Sequence, residues 1–133
     1  MKIVLFDLDG TITDSSEGIV NSIKYALSRL GFPEEPTEKI KQFIGPPLQQ
    51  TFKINYGISD YQNAVAIYRE YYAEKGIYEN RLYDGIVAVL DQLKNEGHII
   101  GLATGKPTYY SHIILKHFKI DHYFNAVVGS NMD

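Results

Sequence analysis

The chain opens on an apolar run, residues 2–6 (KIVLF), in which β-branched and aromatic residues follow one another without polar alternation. That pattern predicts a short strand covered on both faces, as in a parallel sheet. Two further runs share this character, HIIGLAT at 98–104 and AVVG at 126–129. Helical patterns lie beside them. Over 84–96 the positions Ile86, Val87, Leu90 and Leu93 predict an inward helical face, with Gly97 ending the helix. Strands that alternate with such helices predict an α/β fold around a parallel sheet.

About ninety residues separate the first run from the second, far more than one crossover helix needs. Most of them read as helical. Between Glu17 and Leu30 the positions Ile19, Val20, Ile23, Leu27 and Leu30 recur at helical spacing, Gly31 stops the run, and Asp14 with Glu17 suggests an N-cap. A short helix over 37–44 ends at Gly45-Pro46-Pro47. Further helical stretches follow at 47–57 and 59–76, the second with a stripe through Tyr61, Val65, Tyr68 and Tyr72. The predicted organisation is a core made of residues 1–13 and 81–133, with a helical insert over 14–80. The eleven tyrosines, concentrated in the insert and its exit, read as half-buried packing residues rather than a ligand cage.

Composition narrows the function classes. With 44% hydrophobic and 22% charged residues the chain can build a core, which makes disorder a poor reading. A net charge of -3 without a basic stripe argues against a nucleic-acid partner. The absence of cysteine removes disulfides, thiolate catalysis and cysteine-based zinc sites. Asp7 and Asp9 cut the first apolar run short of a signal peptide, and no stretch is long enough to span a membrane. The expectation is a soluble cytoplasmic protein without a membrane partner.

The first chemical constellation is FDLDGT, residues 6–11. Ligands of open α/β sheets bind beyond the carboxyl ends of the strands, where Asp7 and Asp9 fall. Residues two apart in extended chain point the same way, so both carboxylates could face one ligand. Paired hard oxygens suit Mg²⁺. A carboxylate can also attack phosphorus while its neighbour protonates the leaving oxygen. Gly10 permits a close turn past the ligand and Thr11 offers a hydroxyl.

The second constellation closes the second strand: Thr104, Gly105, Lys106 and Pro107. With Pro107 as the first helical residue, a hydroxyl, a glycine amide and a lysine would gather at a helix N-terminus, a natural anion site. The stretch is not a P-loop, because three residues separate Gly101 from Gly105 and Pro107 follows Lys106. His112 and His117 are five apart and lack a cysteine or carboxylate partner for a metal.

Taken together, FDLDGTITDS, the helical insert and LATGKP resemble the haloacid dehalogenase (HAD) superfamily, and within it the phosphoglycolate phosphatase-like and 5′-nucleotidase-like branch. FIGPPL (43–48), the passage over 72–86 and residues 117–133 are similar to that branch too. The resemblance implies a Rossmann-like core with an inserted α-helical cap. It also implies a Mg²⁺-dependent phosphatase of small phosphorylated metabolites, of phosphoglycolate or nucleotide type. In that reading Asp7 is nucleophile and metal ligand, while Asp9 is general acid/base and ligates metal through its carbonyl. Gly10, Thr11, Thr104, Gly105 and Lys106 hold the phosphoryl group, and Gly45, Pro46 and Pro47 lie on the cap side facing the substrate.

The family pattern calls for two more elements, a charge-balancing lysine and a GDxxxD acidic pair. After Thr104 the only lysines are Lys106, Lys116 and Lys119, the latter two expected on a helix packed on the sheet. The only later carboxylates are Asp121 and Asp133. The sequence therefore reads as a HAD-like chain with an incomplete sheet, its C-terminal part absent. Three alternatives stand beside the phosphatase: a phosphomutase with the same core motifs, a truncated chain that folds without turnover, and a phosphoacceptor receiver domain, which the long insert disfavours. The bare apolar edge of residues 2–6 is expected to pair with a second copy.

Overall fold

In the computed structural model, which describes residues 1–132, the opening run becomes strand β1 (Ile3–Phe6). It pairs in parallel with β4 (Ile99–Pro107), Ile3 opposite Ile99 and Phe6 opposite Leu102. Strand β5 (Ala126–Ser130) pairs in parallel on the far side of β4, giving the order β1-β4-β5. Two crossover helices, α5 (Ile86–Asn95) and α6 (Thr108–His117), precede and follow β4. Both crossovers step the same way across the sheet, so right-handed connection puts both helices on one face. That face is dry: Leu90, Ile100, Leu102, Ile114, Leu115 and Ile120 are all buried. Burying each such side chain contributes about 1.5–3 kcal/mol.

The opposite face has no helical layer among the described residues. Ile3 and Leu5 are 68% and 66% exposed, and Val128 64%. This corrects the expectation that β1 is covered on both faces. An unbroken apolar run gives chemistry but not neighbours, and here the helices cover only one side. Helix α5 also departs from its predicted face, since Val87 points outward while Leu90 carries the contact. Gly97 ends α5 as predicted, with φ +81°. Lys116 is exposed on α6, but Lys119 lies past the end of that helix in a left-handed conformation, φ +58°.

A small antiparallel pair, β2 (Thr13–Asp14) with β3 (Arg81–Leu82), belongs to the same compact unit, which comprises residues 1–15 and 81–133. The Asp14 carboxylate accepts from Arg81 at 3.0 Å across this ribbon.

The second unit, residues 16–80, is helical. Helices α1 (Ser16–Arg29) and α4 (Tyr61–Glu74) pack together, with α2 (Thr37–Lys41), α3 (Leu48–Gln50) and a π-helical turn at Thr51–Asn55 between them in sequence. Its core is aliphatic and aromatic. Ile23, Leu27, Ile40, Phe52, Val65 and Tyr72 are buried, and the Tyr68 and Tyr72 rings stack at 5.6 Å. The tyrosine stripe is packing, as its spacing predicts, although Tyr61 remains half-buried. Burial, and then the neighbouring Glu79, push the Tyr71 phenol up.

A close approach fixes this unit. Gly18 on α1 faces Gly76 at the end of α4, where a Cβ on Gly18 would stand 1.9 Å from the Gly76 carbonyl oxygen. The Gly18 N–H donates to Glu79 O at 3.0 Å, and the Ser22 hydroxyl donates back to Gly18 O at 2.6 Å. Gly18→Ala forces α1 away from this contact, and we expect it to cost about 1–3 kcal/mol, the range for overpacking. A lowered urea midpoint by circular dichroism checks this; an unchanged midpoint counts against the contact.

Candidate active site

Strand β1 ends at Phe6, and the chain turns at once. Leu8, between the two aspartates, is fully buried, and its carbonyl accepts from the N–H groups of Thr11, Ile12 and Thr13 at 3.0–3.2 Å. The Gly10 N–H donates to Thr13 O at 2.8 Å, and Gly10 sits at φ +79°, a conformation that costs an L side chain energy. Residues 8–13 thus form a tight knot pinned by a core leucine. This knot presents an exposed Asp7 and a part-buried Asp9 at the carboxyl end of β1. The Asp7 carboxylate accepts from the Leu8 N–H at 2.7 Å, which fixes its rotamer.

Strand β4 runs three residues further than the apolar pattern suggested. Its register against β5 shifts between Ala103 and Pro107. Pro107 is the N-cap of α6, not its first helical residue, so Thr104, Gly105 and Lys106 lie on the tail of the strand just before the helix. Thr104 Oγ1 accepts from the Lys106 N–H at 3.1 Å, leaving the hydroxyl proton to be donated. Gly105 opens onto empty space, with nothing within 4 Å of where a Cβ would lie.

The two constellations meet. Lys106 Nζ lies 3.3 Å from Asp9 Oδ2, and the lysine side chain is only 7% exposed. The other oxygen, Asp9 Oδ1, is buried and accepts no hydrogen bond. Gly45, Pro46 and Pro47 belong to the helical unit, where they form an exposed bend between α2 and α3, with Pro47 capping α3. Asp121, itself exposed, begins a 3₁₀ turn, and Asp133 lies outside the described residues.

Among the described residues no three His, Cys, Asp or Glu are grouped to hold a metal. Mg²⁺ asks for less from a protein, often one or two carboxylates with water and substrate phosphate completing the shell. The exposed Asp7 carboxylate and the knot's main-chain oxygens suit such a partial shell.

One contributor escaped the sequence reading. Gly129 on β5 lies against the segment that carries Lys106: its N–H donates to Thr108 Oγ1 at 3.0 Å, and a Cβ there would stand 2.4 Å from Lys106 O. A glycine inside a strand often marks such a close backbone approach, which was the available signal. We expect Gly129→Ala to displace residues 106–108, lowering stability by about 1–3 kcal/mol and loosening the Lys106–Asp9 pair. Unchanged amide chemical shifts for 104–108 would contradict this.

Comparison with known proteins fits this geometry. The haloacid dehalogenase-like hydrolase family matches residues 4–132. A 5′-nucleotidase of Pseudomonas aeruginosa is 45% identical over 132 residues, covering 98% of this chain and 60% of its own length. A phosphoglycolate phosphatase of Mannheimia succiniciproducens is 32% identical, covering 96% of this chain and 62% of its own length. The tyrosine-protein kinase PtkA of Mycobacterium tuberculosis is 35% identical over 99% of this chain and 45% of its own length. The solved structure of PtkA superimposes with a TM-score of 0.89, covering 61% of that chain. The chain thus spans about three-fifths or less of the curated relatives it matches. The family match across nearly all residues, joined to a parallel sheet that carries two aspartates at the end of its first strand, makes this chain a member of the haloacid dehalogenase-like hydrolase family.

Proposed function

We propose that the chain carries the phosphoryl-transfer site of a phosphatase acting on small phosphorylated metabolites, of nucleotide or phosphoglycolate type. The observation that carries this reading is the meeting of the two loops: Lys106 reaches Asp9 at 3.3 Å, joining the aspartate knot to the Thr104–Lys106 segment. The similarity to a 5′-nucleotidase and a phosphoglycolate phosphatase supports it.

In this mechanism Asp7 is the nucleophile. An oxygen of its carboxylate attacks phosphorus, the bond from phosphorus to the ester oxygen breaks, and Asp9 gives that oxygen its proton. Asp9, now ionised, takes a proton from water. The resulting hydroxide attacks phosphorus, the bond to Asp7 breaks, and inorganic phosphate leaves. Thr104 donates its hydroxyl and Gly105 its N–H to the phosphoryl oxygens. Gly10 keeps the knot tight and Thr11 adds a hydroxyl at its rim. Asp7 and the Asp9 carbonyl would hold Mg²⁺, which supplies charge neutralisation at the phosphoryl oxygens when bound. The helical unit serves as the cap, its Gly45–Pro47 bend contributing to substrate choice.

Phosphate release from an aryl phosphate, measured with Mg²⁺ on the purified chain, tests the reading. Release is expected to fall by at least about 10³-fold in Asp7→Asn, as for loss of a nucleophile, and to vanish with chelator. A second reading, a folded phosphate-binding chain without turnover, draws on the finding that, among the described residues, no three His, Cys, Asp or Glu are grouped to hold a metal. A folded chain that binds phosphate but releases none favours it.

The β1 edge supports self-association. The Ile99 N–H donates to Lys2 O at 2.9 Å; by alternation Lys2, Val4 and Phe6 turn their main-chain groups toward β4, and Ile3 and Leu5 turn theirs to the open edge. Two such edges pair antiparallel about a two-fold axis at Val4, with Ile3 opposite Leu5 of the second copy. The two most exposed side chains of the strand then become neighbours. Light scattering should report a dimer that Leu5→Lys dissolves; a wild-type monomer at high concentration contradicts it.

A further inference from the structure

The helical unit encloses a cavity of about 260 Å³, bounded by the second half of α1, the connecting segment 32–35 and α2. None of its lining residues belongs to the aspartate knot, the tail of β4 or the Gly45–Pro47 bend. Its apolar walls are Leu27, Phe32, Pro33 and Ile40, with Leu27 and Ile40 buried. Local chemistry builds these walls before any ligand arrives. Gly31 ends α1 at φ +82°; its N–H donates to Ser28 O at 3.1 Å, and the Phe32 N–H reaches back to Leu27 O at 3.0 Å. That is the Schellman arrangement, which folds residue 32 back onto the helix it follows. The Phe32 ring is held edge-on by Tyr56 at 5.6 Å. Pro33 and Pro36 fix φ on either side of Glu34 and Glu35. The Lys24 ammonium donates to Thr37 Oγ1 at 2.7 Å, tying α1 to the first residue of α2. A cavity with walls fixed in this way costs little to fill.

The polar lining is selective. Lys24 gives one hydrogen bond to a neutral hydroxyl, and an ammonium carries two more donors. Of the two carboxylates, Glu35 accepts from Lys39 at 2.9 Å, while Glu34 is exposed. Neither Lys24 nor Glu34 makes an ion pair among the described residues. The cavity therefore offers one charge of each sign around an apolar floor.

We propose that this cavity binds a zwitterionic amino acid with an apolar side chain. The ligand carboxylate accepts from Lys24 Nζ, its ammonium donates to Glu34, and its side chain lies against Leu27, Phe32, Pro33 and Ile40. A simple anion would face Glu34 unpaired, and a simple cation would face Lys24. The volume, just under the usual range for drug-sized ligands, admits a leucine or phenylalanine and excludes a nucleotide. This is a second ligand site on the chain, and it holds whether or not the sheet ends turn over phosphate.

The test follows backbone amide shifts of the whole chain by NMR during titration with L-leucine and L-phenylalanine. At least one should bind with a Kd on the order of 1 mM, as suits about ten heavy atoms in a preformed site. The largest shifts should fall within residues 24–40. The deaminated analogues are isocaproate and hydrocinnamate, and the decarboxylated ones isoamylamine and phenethylamine. Losing the carboxylate should weaken binding about tenfold, as for a charge-assisted hydrogen bond. Losing the ammonium should weaken it about threefold, since Glu34 is exposed. Lys24→Met, which keeps the aliphatic stem, and Glu34→Gln should reproduce these two losses with L-leucine or L-phenylalanine. Should Lys24→Met unfold by circular dichroism, the analogues make the same comparison on the wild type. The proposal is overturned if neither amino acid gives a saturable shift, or if the shifts centre outside 24–40. Equal affinity for the decarboxylated analogues, or wild-type affinity in a folded Lys24→Met, overturns it as well.

Discussion

Everything at the candidate site depends on one long-range pairing, the parallel ladder between β1 and β4. It joins Ile3 to Ile99 and Phe6 to Leu102, across more than ninety residues of intervening chain. Closing so large a loop costs conformational entropy, although that cost grows only slowly with length. What offsets it is burial of Ile100, Leu102 and Leu90 on the covered face. Once the ladder forms, the ends of both strands stand side by side, and the site follows from where each strand stops. Asp7 and Asp9 come directly off β1, and Thr104 to Lys106 off the end of β4. A shift of one residue would turn Ile100 and Leu102 out of the core, so the hydrophobic pattern that stabilises the sheet also sets the alignment of the chemical groups.

The Lys106–Asp9 pair is a different kind of interaction. At this separation an effective dielectric near 20 gives about 4–5 kcal/mol of attraction, while desolvating the buried ammonium costs several kcal/mol. The two nearly cancel. As a stabilising element the pair is therefore weak, and an apolar pair of the same volume would serve the fold as well. Its geometry serves chemistry better than stability, because one carboxylate oxygen is held and the other is left without a donor inside the protein. The exposed Arg81–Asp14 contact makes the contrast: it closes the β2–β3 ribbon at the surface, where such pairs contribute at most about 1 kcal/mol.

Much of this was legible in the sequence because local patterns with strong physical causes carried it. The three strands of the main sheet were found from their β-branched runs, and α5 from its apolar spacing and the glycine that ends it. The Asp-x-Asp-Gly-Thr signature located the knot, since only a surfacing strand followed by a left-handed turn has reason to place acids there. The misses share one cause, which is that they concern neighbours rather than the chain itself. An apolar β1 looks the same whether one face or two are covered. Lys106 reads as an anion ligand, and only folding shows that it reaches back to Asp9. Gly129 gains its meaning from the carbonyl of Lys106, which lies far off in sequence.

The relatives share this half of the fold while their names divide between nucleotidase, phosphoglycolate phosphatase and tyrosine kinase. A common structural layer beneath such different names is what the proposed attack of an aspartate on phosphorus at the β1–β4 end would require. What differs must be decided by whatever next meets the phosphoryl group. Water needs only an ionised Asp9 beside it; a tyrosine acceptor needs in addition a surface that excludes water and positions a phenol. The knot, Thr104 and Lys106 contain nothing that recognises a base, a ribose or an aromatic ring. The specificity of such a site has to be built from residues outside the sheet ends, and this is why the chemistry can be read from a dozen residues while the substrate cannot.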